Sequence, residues 1–193
     1  MLSTTPMSRL VLALLLSAAA APALPQAVDV KVQTHGERVV VDVSANVAAR
    51  HGVVFAVLTD YDHMAEYVSS LTSSAILARN GNVLEVEQRG RTAVGPFHFS
   101  FWSVRAVELV DEREVRSQLL RGDFKSYEFT TAVGSGPGGT VAITHHGEYV
   151  PKAWIPPVIG RSRIEAGVRR QYDELIAEMM RREAKEPPGP GPR

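Results

Sequence analysis

Residues 161–185 read RSRIEAGVRRQYDELIAEMMRREAK. Ile164, Val168, Tyr172, Leu175 and Met179 recur at every third or fourth position, so the stretch predicts one long amphipathic helix. Its arginines and glutamates form the solvated face. A helix with one apolar stripe must lay that stripe on another element. The chain before it supplies a sheet.

ERVVVDVSANVAA, residues 37–49, alternates: Val39, Val41 and Val43 point one way, Val40, Asp42 and Ser44 the other. That is a half-buried strand, and it pairs with VDVKVQ, residues 28–33, across a turn at His35-Gly36. In residues 50–74, RHGVVFAVLTDYDHMAEYVSSLTSS, Val54, Leu58 and Tyr61 sit at helical spacing. Asp60 to Asp62 breaks that helix, and HMAEYV begins a second short one. SAILARNGNVLEVEQRG reads as a hairpin with Asn80-Gly81 as a type I′ signal. Its second arm puts Leu84 and Val86 on one face and Glu85, Glu87 and Arg89 on the other. PFHFSFWSVRAVELV, REVRSQLLRG, KSYEFTTAVG and GTVAITHHGEYV follow with short Gly- or Asp-containing turns, the spacing of an antiparallel meander.

The order is strand, two short helices, a run of antiparallel strands, then a long helix. With VLTDYDHMAEYVSSLTSSAIL and VPKAWIPPVIGRSRIEAGVRRQYDELIAEMMRR, it resembles the START-like polyketide cyclase/dehydrase and lipid-transport superfamily (SRPBCC) over roughly residues 39–182. Within that superfamily it is most similar to the coenzyme-Q-binding-protein type. The resemblance implies an α+β helix-grip fold, in which a curved antiparallel sheet wraps the C-terminal helix and leaves an apolar cavity between them.

The chain opens MLSTTPMSRLVLALLLSAAAAPALPQA. Arg9 precedes an apolar run from Leu10 to Ala20, and Ala21-Pro22-Ala23 is a small-x-small signal. The run is shorter than the ~20 residues of a spanning helix. Residues 1–23 are therefore expected to be a bacterial export leader, cleaved after Ala23 or Ala27, with a periplasmic or secreted product. Residues 28–183 form the expected domain, and 184–193, rich in Pro and Gly, a disordered tail. With no cysteine, the fold must rest on its packed core. About 155 residues can bury roughly 70% of their unfolded surface. Beyond Arg9 there are 20 basic and 21 acidic residues, a net charge of −1, which argues against nucleic-acid binding.

The chain has six histidines, but none makes a local metal-ligand pair. His145 and His146 are adjacent on a strand and point to opposite faces, so no metal and no cofactor are expected. GSGPGG, residues 134–139, is followed by a strand where a phosphate loop needs a helix; it reads as a hairpin turn. Asp60 and Asp62 read as caps of the next helix. There is no G-x-S-x-G elbow.

The apolar faces carry the candidate site. Phe97, Phe99 and Phe101 share one strand face, Tyr127 and Phe129 another, and Ile143, His145 and Tyr149 a third. Ordinary core explains each alone. The resemblance makes the set a cavity wall, completed by Ile164 and Val168 of the helix. An imidazole at His145 then either bonds protein or meets a ligand head group. In GEYVPKAWIPPVIG, residues 147–160, Pro156 and Pro157 stiffen the connector. Trp154 and Ile155 there are expected at the pocket rim, touching a membrane during transfer; packing of Trp154 on the helix is the plainer alternative. The reading is a non-enzymatic binder or carrier of a hydrophobic small molecule, such as a lipid, a fatty acyl chain or a prenyl quinone, with no protein partner identified. Burying ~400 Å² of ligand yields about 10 kcal/mol gross, against roughly 4–15 kcal/mol of association costs, which favours a long tail. Two alternatives stand beside it. One is a cyclase, dehydratase or hydrolase with His145 and Tyr149 as its acid–base candidates. The other is a structural domain with a filled core.

Overall fold

The computed structural model describes residues 28–94, 97–153 and 160–185, without the side chains of residues 92–98. The expected leader and nearly all of the expected tail lie outside the described residues.

Eight strands form one antiparallel sheet: β1 (Asp29–His35), β2 (Arg38–Val47), β3 (Leu71–Asn80), β4 (Val83–Val94), β5 (Phe97–Val110), β6 (Glu114–Gly122), β7 (Phe124–Ser135) and β8 (Val141–Pro151). Helices α1 (His51–Thr59) and α2 (Met64–Tyr67) follow β2, and α3 (Arg161–Lys185) ends the described chain. The order across the sheet is β1-β2-β8-β7-β6-β5-β4-β3. After β2 the chain crosses through α1 and α2 to the far edge at β3. It then meanders back until β8 pairs with β2, from Val39↔Tyr149 to Val47↔Val141. The curved sheet grips α3, a helix-grip fold.

Alternation explains the core. Val39, Val41, Val43, Ala45 and Val47 of β2 are all buried, with half-buried or exposed residues between them. The α3 stripe contributes buried Tyr172, Leu175, Ile176 and Met179. Polar side chains pin α3 along its length. Glu165 Oε1 accepts the β1 edge amide of Val32 at 3.2 Å, and Arg169 donates to the Val28 carbonyl. Glu174 accepts from Ser69 N at 2.9 Å, and Glu183 Oε2 from Arg50 N at 3.0 Å.

Several local readings shift. The β3–β4 turn centres on Gly81-Asn82, because Asn80 pairs with Val83. Only Gly81 has positive φ, +61°, so the turn follows the type II′ pattern, not I′. The β1–β2 turn likewise centres one residue later, on Gly36-Glu37. Helix α3 runs to Lys185, two residues past the expected domain end. Asp60 and Asp62 do not cap α2, whose cap residue His63 makes no side-chain cap. Asp62 Oδ1 instead accepts the edge amide of Ile76 at 2.7 Å. Asp60 joins His63 Nδ1 at 2.7 Å and Arg182 Nη2 at 2.6 Å, tying the α1–α2 turn to α3.

This last tie sets an acid limit. Burial pushes the Asp60 carboxyl up, but the hydrogen bonds from His63 and Arg182 and their charges outweigh it and hold the group low. Arg181, against burial and with help from Arg182, holds the Glu178 carboxyl down at about 2. Both folded-state values are depressed. Their stabilisation is therefore present above the ordinary carboxylate range and is lost as pH falls through the folded values. The melting temperature is expected to drop between about pH 4.5 and about pH 2. Glu178→Gln should flatten that drop while costing roughly 1.5–3 kcal/mol at neutral pH, the worth of a hydrogen bond to a charged group. An acid limb unchanged in the variant would place the titrating group elsewhere.

Candidate ligand cavity

A cavity of about 440 Å³ lies between the sheet and α3. Its walls follow from the strand period. β5 turns Phe99, Phe101, Ser103 and Arg105 inward, β7 turns Tyr127, Phe129 and Thr131, and β8 turns His145 and Tyr149. From α3 come Ile164, Val168, Tyr172 and Leu175, and from the α1–α2 segment Leu58, Tyr61 and Met64. The exposed lining residues Ser100, Asp123, Ala153, Arg163 and Gly167 mark the opening. The volume lies in the lower half of the ~300–1,000 Å³ range of single-ligand pockets. One chain or one ring system fits it.

Of the expected wall, Phe99, Phe101, Tyr127, Phe129, His145, Tyr149, Ile164 and Val168 meet at this cavity. Ile143 does not. It is fully buried in the solid core beneath β8, one pleat beyond the lining, where the cavity has already closed. The side chain of Phe97, and Trp154 and Ile155 altogether, lie outside the described residues.

The aromatic groups pack on one another. Phe129 stacks on His145 at 4.7 Å between ring centroids, and Tyr127 lies 4.5 Å from Phe129. His145 Nδ1 and Thr131 Oγ1 are hydrogen-bonded at 2.7 Å. Burial, helped by the charge of Arg105, pushes the imidazole down to about 4, so it is neutral near pH 7. Burial also pushes the Tyr61 and Tyr149 hydroxyls up to about 12. His145 and Tyr149 share the cavity wall but make no hydrogen bond to each other among the bonds of the described residues. Among the described residues no cluster of His, Asp or Glu could hold a metal ion.

Sequence reasoning missed the polar end of the cavity. Arg105 is buried, with 8% of its surface exposed. Its Nη1 donates to Tyr127 Oη at 3.0 Å and to Ser117 Oγ at 3.4 Å, and its Nη2 donates to Gln88 Oε1. Among the described residues its Nε has no partner. Gln88 Nε2 in turn donates to Ser74 Oγ at 3.1 Å and points at Met64 Sδ, 3.3 Å away. The signal was present: counting by twos from Phe101 reaches Arg105, and from Val86 reaches Gln88.

Comparison with known proteins agrees with this architecture. A sequence family described as polyketide cyclase / dehydrase and lipid transport matches residues 38–182. No curated protein matches in sequence. Among solved structures, the STAR-related lipid transfer protein from Xanthomonas axonopodis superposes with a TM-score of 0.65 at 14% identity, covering 83% of this chain and 97% of that one. The Zhui aromatase/cyclase from a Streptomyces species gives 0.59 at 18% identity, with 75% and 95% covered. A START superfamily protein from Mycobacterium smegmatis gives 0.56 at 15%, with 76% and 97% covered. At these identities the likeness is one of fold.

Proposed function

We propose that this chain, which belongs to the polyketide cyclase / dehydrase and lipid transport family, binds and carries one hydrophobic small molecule in the cavity between its sheet and α3. A fatty acyl chain, a prenyl quinone or a similar lipid suits the space. The observation that carries the reading is the cavity itself: about 440 Å³ walled by aromatic and aliphatic side chains from β2, β3, β5, β6, β7 and β8 and from α1, α2 and α3. A domain that needed only a core would have filled that volume, since each methyl-sized void costs about 1 kcal/mol.

A carrier is favoured over a cyclase, dehydratase or hydrolase by the state of the polar groups. His145 is neutral and engaged with Thr131, and burial holds the Tyr149 hydroxyl at about 12. Among the described residues no carboxylate is hydrogen-bonded to either, so the expected acid–base pair lacks its driving group. The leader-like residues 1–23 support work outside the cytoplasm, and the composition of the Trp154–Ile155 connector supports transient contact with a membrane during ligand exchange. Among the described residues no helix is long and apolar enough to cross a membrane.

Mass spectrometry of gently purified protein is expected to find a co-purifying apolar molecule. Phe99→Asp should abolish uptake of a fluorescent fatty-acid or quinone analogue. Phe99→Leu should keep the fold and change affinity within about one decade, the span of ~1.4 kcal/mol. A wild-type protein that takes up neither probe, with both variants merely less stable, would return Phe99 to ordinary core.

A further inference from the structure

We infer that the ligand carries a carboxylate, or an equivalent anionic oxygen, at its buried end, and that Arg105 is its seat; this rests on the cavity being the binding site. Arg105 projects from the middle of β5 into a largely apolar cavity with 92% of its surface buried, the complement of the 8% exposed. Every group it bonds is neutral: Tyr127, Ser117 and Gln88. The Tyr127 ring, 5.2 Å from the guanidinium carbon, adds a cation–π contact and no charge. Among the described residues no carboxylate pairs with it, and its Nε–H is unused. An isolated buried charge is among the least favourable arrangements in a protein interior, and an Arg held there ordinarily faces an acid.

Gln88 stands where that acid would stand. Its carbonyl oxygen accepts from Arg105, and its amide nitrogen is committed to Ser74. An amide at this position fixes the guanidinium without neutralising it. The neutral His145 adds no second charge. A ligand that enters with an anionic end therefore meets one unmatched positive charge on the cavity wall, where burial weakens the screening by water. A neutral chain would leave the charge unmet, and an amine would be repelled. Along β5 the order Phe99, Phe101, Ser103, Arg105 runs from beside the opening inward, so the apolar tail lies toward Phe99 and the anion lies deep.

Calorimetric titration with laurate, lauryl alcohol and laurylamine, one chain with three ends, tests this at fixed ionic strength. Wild-type protein should bind laurate at least ~10-fold tighter than the alcohol, a gap of ~1.4 kcal/mol, and laurylamine weakest. Gln88→Glu builds the missing counter-ion into the wall. It should raise the melting temperature and collapse the laurate-to-alcohol ratio toward unity. Arg105→Gln should collapse the same ratio; if that variant fails to fold, Gln88→Glu still decides. Equal affinity of wild type for laurate and alcohol, or a preference that survives Gln88→Glu, would overturn the anion seat and leave the cavity reading standing. Failure of all three chains to bind would overturn both.

Discussion

Met179→Ala is expected to lower stability by about 2–5 kcal/mol, the range for large-to-small changes at well-packed sites. Met179 is fully buried, one of the largest side chains in the protein with no exposed surface. It belongs to the core that joins α3 to the sheet and α1. Truncation removes its dispersion contacts and leaves a void that a rigid sheet cannot collapse to fill. Val168→Ala, eleven residues earlier on the same stripe, should cost under about 1 kcal/mol, because one side of Val168 already faces open cavity. That variant should instead alter ligand affinity. Chemical denaturation of both variants decides the matter: similar losses would mean that the stripe is uniform core from end to end.

This contrast shows what was legible. The stripe of Ile164, Val168, Tyr172, Leu175 and Met179 follows from helical period alone, and so do the inward faces of β2, β5, β7 and β8. Period cannot say where a stripe stops filling core and starts lining a cavity. That depends on how far the sheet curves away, and curvature arises partly from irregularities that alternation hides. The register slips between Val104 and Arg105 as β5 passes β6, and between Ile76 and Ala78 as β3 passes β4. Leu77, which has no register partner at the slip in β3, is 48% exposed. Ile143 shows the same limit from the other side: its face was read correctly, but its depth was not. Arg105 and Gln88 were hidden for another reason. A charged or polar residue in an alternating strand is read as marking the wet face, and both lie on the dry one.

Gly147→Ala is expected to cost about 3 kcal/mol, the upper end of the usual overpacking range. Gly147 sits in β8 opposite Phe129 of β7. A Cβ built there would lie 2.2 Å from the Glu128 carbonyl oxygen and 2.5 Å from the Phe129 ring. The ring rests on the glycine's bare face. That placement sets the ring under His145, whose imidazole stacks on it at an interplanar angle of 15°. The variant must push the ring away, push β7 away, or do both. Moving the ring disturbs the His145 stack and the adjacent Tyr127, whose hydroxyl holds Arg105. Ligand binding should therefore fall along with stability, unlike the effect of Met179→Ala, which lies in the core outside the cavity lining. Adding Phe129→Leu to Gly147→Ala separates the two obstacles. If only the ring were in the way, the double variant would recover most of the lost stability. Because the Glu128 carbonyl belongs to the backbone and cannot rotate aside, recovery should be partial. A Gly147→Ala variant as stable as wild type, with unchanged uptake of a fluorescent fatty-acid analogue, would show that this glycine is not what seats the aromatic wall.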